Sequence, residues 1–151
     1  MNIFFLTIHI MLWTLGICAS YAFVMTAAKK DASLPFLRWS SLTALLSYGV
    51  SWFFGVLYYI HPDTVARFAH AAPPSSNVWL HSIFAESREY IFLSFVLVPI
   101  LAGVLALMIF LTRGADAADT LAKTKSNLIS VSIILTILGT LSIFLAMMIA
   151  S

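Results

Sequence analysis

Charge is the scarcest property of this 151-residue chain. Only 9% of its residues are Asp, Glu, Lys or Arg, against about 25% in a soluble domain. The shortage excludes a water-solvated globule. The net charge of +2 is small, and the charges are not grouped into a nucleic-acid patch along the sequence. Cysteine is almost absent too. Cys18 stands alone, so there is no internal disulfide and no CxxC or CxxCH pair for a metal or a covalently attached haem. It reads as a small packing residue in an apolar run. No HExxH motif occurs, and no repeat of 20–50 residues is visible.

What remains is apolar. Hydrophobic residues make up 62% of the chain, and mean hydropathy is +1.01. Crossing roughly 30 Å of hydrocarbon takes about 20 apolar residues in a helix. Four segments meet that length: 3–28, about 39–60, about 90–111 and about 127–150. Lipid offers backbone groups no partner, so each must be a helix. The first segment has no Lys or Arg ahead of it and is too long for a signal-peptide core, so it reads as a retained helix.

Lysine and arginine orient the spans. The loop after the first span carries Lys29, Lys30 and Arg38, and the loop after the third carries Arg113, Lys123 and Lys125. The intervening stretch has Arg67 and Arg88 against Asp63, Glu86 and Glu89. The positive-inside rule places the first and third loops in the cytoplasm. The expected fold is an all-α, integral-membrane four-helix bundle, up-down-up-down, N-out and C-out, forming a single domain with an outer loop at 61–89. Arg38 is expected to snorkel at the cytoplasmic interface. Pro99 is expected to release the carbonyl of Phe95 and bend the third span. Residues Gly16 and Ser20, and Ser47, Ser51 and Gly55, form stripes of small side chains at helical spacing, the usual seam of close helix contact in lipid. The fourth span has no titratable group and reads as scaffold, with Ser130, Ser132, Thr136, Gly139, Thr140 and Ser142 as contact positions.

Histidine is distributed on one side only. With that orientation, His9, His61, His70 and His81 all belong to the outer half and none to the cytoplasmic half. His9 lies about 10 Å from the outer end of its span at 1.5 Å per residue, and an ionisable group at such depth is a functional candidate by default. His9 shares a helix face with Trp13 and Gly16, so it is expected to look inward.

Three functions compete for this arrangement. Imidazole is an axial ligand of haem iron, and helix-bundle interiors hold such cofactors. The leading expectation is therefore a haem b held by His9 with His61 or His81, among Trp13, Gly16 and the surrounding aromatics Phe4, Phe5, Trp52, Phe53 and Phe54. Such a protein would transfer electrons near the periplasmic face, as a respiratory-complex subunit or a partner of other membrane or periplasmic electron-transfer proteins. The alternative is a Cu or Zn site on His9, His61 and His81, since imidazole suits both metals. The third is a non-catalytic accessory subunit, or a homo-oligomer, in which His9 only bonds across a helix contact. Glu86, Glu89 and Tyr90, at the outer mouth of the third span, are candidate contacts for a proton or a quinol headgroup.

His9, Trp13 and Gly16, followed by Leu37-Arg38, Ser40 and Gly55, resemble the opening of copper-resistance protein D-like membrane domains. Gly16 is followed by Ile17 where that pattern has a second glycine. The resemblance covers the first third of the chain and implies a histidine-based metal or haem site at His9. The overall layout is similar to small four-helix b-type cytochromes, an analogy of architecture. Together these point to a bacterial-type inner membrane.

Overall fold

A computed structural model describes residues 2–60, 96–112 and 117–150. They form four helices: α1 (Asn2–Ala27), α2 (Leu34–Ile60), α3 (Val96–Leu111) and α4 (Ala117–Ala150). Three are long and apolar enough to cross a membrane, over Ile3–Ala27, Leu34–Tyr58 and Ala117–Phe144. Helices in water are polar along one face; these are hydrophobic all round, as helices solvated by lipid are. Phe4, Met11, Tyr21, Trp39, Leu107, Leu111 and Phe144 all face outward.

Two helix boundaries differ from the hydropathy reading. α2 begins at Leu34 rather than near Trp39. Pro35 falls in its first turn, where a missing N–H costs nothing, and the Leu37 amide closes that turn on Ser33 O at 3.0 Å. α4 begins ten residues before the apolar run. Its polar first turns are supported by Asp119–Lys123, an i,i+4 ion pair at 2.6 Å. Hydropathy finds where a helix meets lipid and is blind to where it starts. The 34 residues of α4 are about 51 Å long at 1.5 Å per residue, so the helix stands well clear of a 30 Å hydrocarbon layer. α3 is described only from Val96, so the proposed bend over Phe95 lies outside the described residues.

The helix pairs run antiparallel, and their register can be read from contacts. Trp13 of α1 meets Gly139 of α4, Ser20 meets Ser132, and Lys29 beyond α1 meets Lys125. His9 meets Ser51 of α2, and Gly16 lies against Tyr48. Arg38 of α2 reaches Thr112 at the end of α3, and Leu45 lies against Gly103. Arg38 is thus tied to a neighbouring helix end; it does not simply extend toward the interface. Cys18, expected inside, is exposed.

At the centre, Tyr48 is a wedge. It is fully buried, with Trp13, Phe23, Leu105 and Leu135 in the same core. Its ring lies so close to Gly16 that a Cβ there would sit 2.8 Å from Cε1. Its hydroxyl reaches Gly139, where a Cβ would sit 2.6 Å from Oη and 3.4 Å from Cζ. One aromatic side chain of α2 therefore fits between glycines of α1 and α4. Lipid supplies no hydrophobic force between helices, so close packing of this kind holds them together. The Tyr48 hydroxyl is buried beside Ser20 and has no well-aligned hydrogen bond among the described residues; the Ser20 hydroxyl donates to Gly16 O.

This geometry predicts a specific double-mutant cycle. Gly139→Ala should destabilise the protein by about 1–3 kcal/mol through overpacking. Tyr48→Phe should be neutral or stabilising, because it removes an unpaired buried hydroxyl. Combined with Gly139→Ala, it should recover much of the loss, because the closest obstacle to the new methyl is gone. Unfolding in mixed micelles, monitored by circular dichroism, measures all three variants; additive effects would refute the wedge.

Candidate functional site

His9 sits on the inward face of α1, half-buried, and its ring rests on Gly55 of α2. A Cβ at Gly55 would come within 3.0 Å of both Cε1 and Nδ1. The small-residue stripe of α2 thus opens a slot that the imidazole fills.

The heavy-atom contacts of His9 favour one tautomer of its ring. Nδ1 lies 2.8 Å from the backbone oxygen of Ser51 and 3.0 Å from its hydroxyl. The Ser51 hydroxyl lies 2.7 Å from His9 O and donates to it. A hydroxyl has one hydrogen, so toward Nδ1 it can only accept. With both atoms facing Nδ1 acting as acceptors, the contacts assign the proton to Nδ1. A tautomer is set in this way by what the other nitrogen does.

Below His9 the rings continue. Trp13 is 5.8 Å away centroid to centroid, tilted by 46°, and Tyr48 is 5.0 Å beyond Trp13, edge-on at 73°. Trp13 donates its indole N–H to Gly139 O at 2.9 Å. The Ser132 hydroxyl donates to Ser20 O at 3.0 Å. Hydroxyls of Thr7, Thr14, Thr136, Thr140 and Ser142 return to carbonyls four residues back in their own helices, a common way to satisfy such groups in apolar surroundings.

Of the residues expected at a site, the structure gathers His9, Trp13 and Gly16 on one face of α1. Gly16 is occupied by the Tyr48 ring. His61, His70, His81, Glu86, Glu89 and Tyr90 lie outside the described residues. Among the described residues no three His, Cys, Asp or Glu side chains come together. The Phe5 and Phe54 rings lie 6.0 Å apart, tilted by 31°, toward the same end as His9. The Trp52 indole N–H, next to Ser51 in the chain, is buried with no acceptor among the described residues.

Sequence reasoning assigned Ser51 to packing alone and missed its bonds to His9. The signal was available in the register. His9 lies seven residues from one end of α1 and Ser51 nine from the antiparallel end of α2, so the two are at one depth. No protein-family model, curated protein or solved structure matches the chain.

Two variants separate the bonds around His9. Ser51→Ala removes the hydroxyl but leaves the carbonyl, so Nδ1–H should persist, at a stability cost of about 1 kcal/mol. Gly55→Ala should push the ring off Ser51 O. In ¹⁵N-histidine spectra the Nδ1–H tautomer should appear in wild type and Ser51→Ala and weaken in Gly55→Ala. An Nε2–H tautomer in wild type would refute the assignment.

Proposed function

We propose that this chain is a four-helix membrane bundle, up-down-up-down, that binds haem b near its outer face and passes electrons there. The termini face outward, and the host is a bacterial-type inner membrane, where the protein serves as a respiratory-complex subunit or partner. One observation carries the reading: Nδ1 of His9 is held on the backbone carbonyl of Ser51, on the inward face of α1. Metal-ligating histidines almost always use their second nitrogen in this manner, which fixes the ring and raises its basicity.

The residues present fit such a group. A haem needs only one imidazole nitrogen on each axial side, so His9 can supply one ligand without a cluster. His61 or His81 is the candidate for the other. Phe5 and Phe54 offer apolar surface, and the unpaired Trp52 N–H suits a propionate carboxylate. Trp13 buttresses the imidazole from below. The bound haem would supply a one-electron couple. The chain's own part is to fix the imidazole, exclude water with aromatic side chains, and hold a donor for the carboxylate. A Cu or Zn site would ask for several converging ligands, and would have to draw them from the outer loop.

A second reading is an accessory subunit that packs on larger membrane partners. It is favoured by the mutual bonding of His9 and Ser51, which gives the histidine a structural use without any cofactor.

Absorbance of detergent-solubilised protein from haem-replete cells decides between them. The haem reading expects a Soret band and a positive pyridine haemochromogen assay, both lost in His9→Ala while the helical circular dichroism persists. Absence of haem from wild type refutes it. Single cysteines placed at Lys30 and at Asn77, in a Cys18→Ser background, test the orientation: an impermeant maleimide applied outside intact cells should label only the second.

A further inference from the structure

The opposite end of the helix assembly, remote from His9, carries a different chemistry. Lys29 and Lys30 follow α1 and are exposed. Lys125 of α4 donates its ammonium to Lys29 O at 2.6 Å, so the basic turn of α4 lies against the end of α1. Arg38 is at this end as well. It donates one Nη2 hydrogen to Thr112 O at 2.6 Å, and its Nε–H has no acceptor. Lys123 is paired with Asp119 in an exposed contact that does little to hold either charge. Five cations thus meet two carboxylates, Asp31 and Asp119, among the described residues of this end.

Their depth is defined by what lies beside them. The polar turns of α4, from Ala117 to Ser126, precede its apolar run. Trp39, 70% exposed, and Phe36, 47% exposed, project outward one to two turns into α2. Aromatic side chains of this kind mark the headgroup level of a bilayer. The lysines therefore stand among headgroups, with apolar surface directly beneath for acyl chains. The carbonyl of Lys29, just beyond α1, would repel an anion, but Lys125 covers it.

We propose that this end is a binding site for the phosphodiester of an anionic glycerophospholipid, held by Lys29 and Lys30 with Lys125 and Arg38 behind them. The observation is independent of any cofactor at His9. A lysine beside an anionic lipid surface is worth about five-fold in affinity, so losing two should cost more than about ten-fold.

Native mass spectrometry of delipidated protein, titrated with phosphatidylglycerol or phosphatidylcholine of matched chains, tests this. Wild type should prefer phosphatidylglycerol by about ten-fold or more. Lys29→Gln/Lys30→Gln should bring the two lipids to near parity, whereas Lys29→Arg/Lys30→Arg should keep the preference. Both positions are exposed, and an unchanged thermal midpoint verifies folding. Equal binding of the two lipids by wild type overturns the proposal, as does undiminished preference in the Gln variant. Displacement of the lipid by millimolar inorganic phosphate would show a site for small anions, and would overturn the lipid assignment.

Discussion

The carbonyl oxygen of a helix has two lone pairs, and the helix uses one. The second is the resource on which the inter-helix contacts of this protein draw. His9 donates to Ser51 O, Ser51 to His9 O, Trp13 to Gly139 O and Ser132 to Ser20 O. At the far end, where the chain has just left a helix, Arg38 donates to Thr112 O and Lys125 to Lys29 O. A side chain reaches a carbonyl in mid-helix only where the residues over it are small. Gly55 follows Ser51 by one turn and lets the imidazole in; the glycines at 16 and 139 admit Tyr48 and bring Trp13 within reach. Each such bond in lipid is worth about 0.6 kcal/mol, so none of them alone decides stability. Their direction matters more, because a carbonyl in a rigid helix fixes where its donor must be.

That constraint explains why the interior is ordered as it is. Tyr48 reaches from its ring edge at Gly16 of α1 to its hydroxyl at Gly139 of α4, beside the bond of Trp13 to Gly139 O. Trp13 in turn lies beneath His9. The imidazole is therefore positioned twice: by a hydrogen bond to α2, and by a ring that is itself anchored on α4. A side chain held only by a loop would lack this rigidity. The unpaired hydroxyl of Tyr48 is the exception to the carbonyl pattern. Its ring fills space that an apolar residue of equal size would fill as well.

Much of this was legible in the residues. The apolar runs located all four helices, since lipid permits little else. The small-residue stripes named the contact faces correctly, because close approach requires them. Helix starts were not legible at Leu34 or Ala117. A proline in a first turn and a polar helical extension both look like loop to a hydropathy reading. The partner of His9 was hidden for another reason. It is a main-chain oxygen, and every residue has one, so nothing in the side-chain types singles out Ser51. Only the pairing of depth with a glycine one turn later distinguishes it. Cys18 shows the converse error: its type suggested burial, but an exposed position in lipid suits an apolar thiol equally well.

The same logic bears on why a histidine is tolerated at this depth. Imidazole is the one ionisable side chain that is half neutral near pH 7, and as a neutral ring it needs one donor bond and one acceptor bond. Ser51 O receives the donor. Asparagine or glutamine in the same slot could also donate to that carbonyl, yet neither carries a nitrogen lone pair. A purely structural cross-link at residue 9 could be made by any of the three. Imidazole alone adds a basic nitrogen on the opposite side of the ring, and that distinction separates a ligand from a clasp. Comparing His9→Asn with His9→Ala therefore divides the two roles: under the proposed haem reading both variants lose the Soret band and only His9→Ala loses stability, whereas a clasp alone predicts the stability difference without any Soret band in wild type.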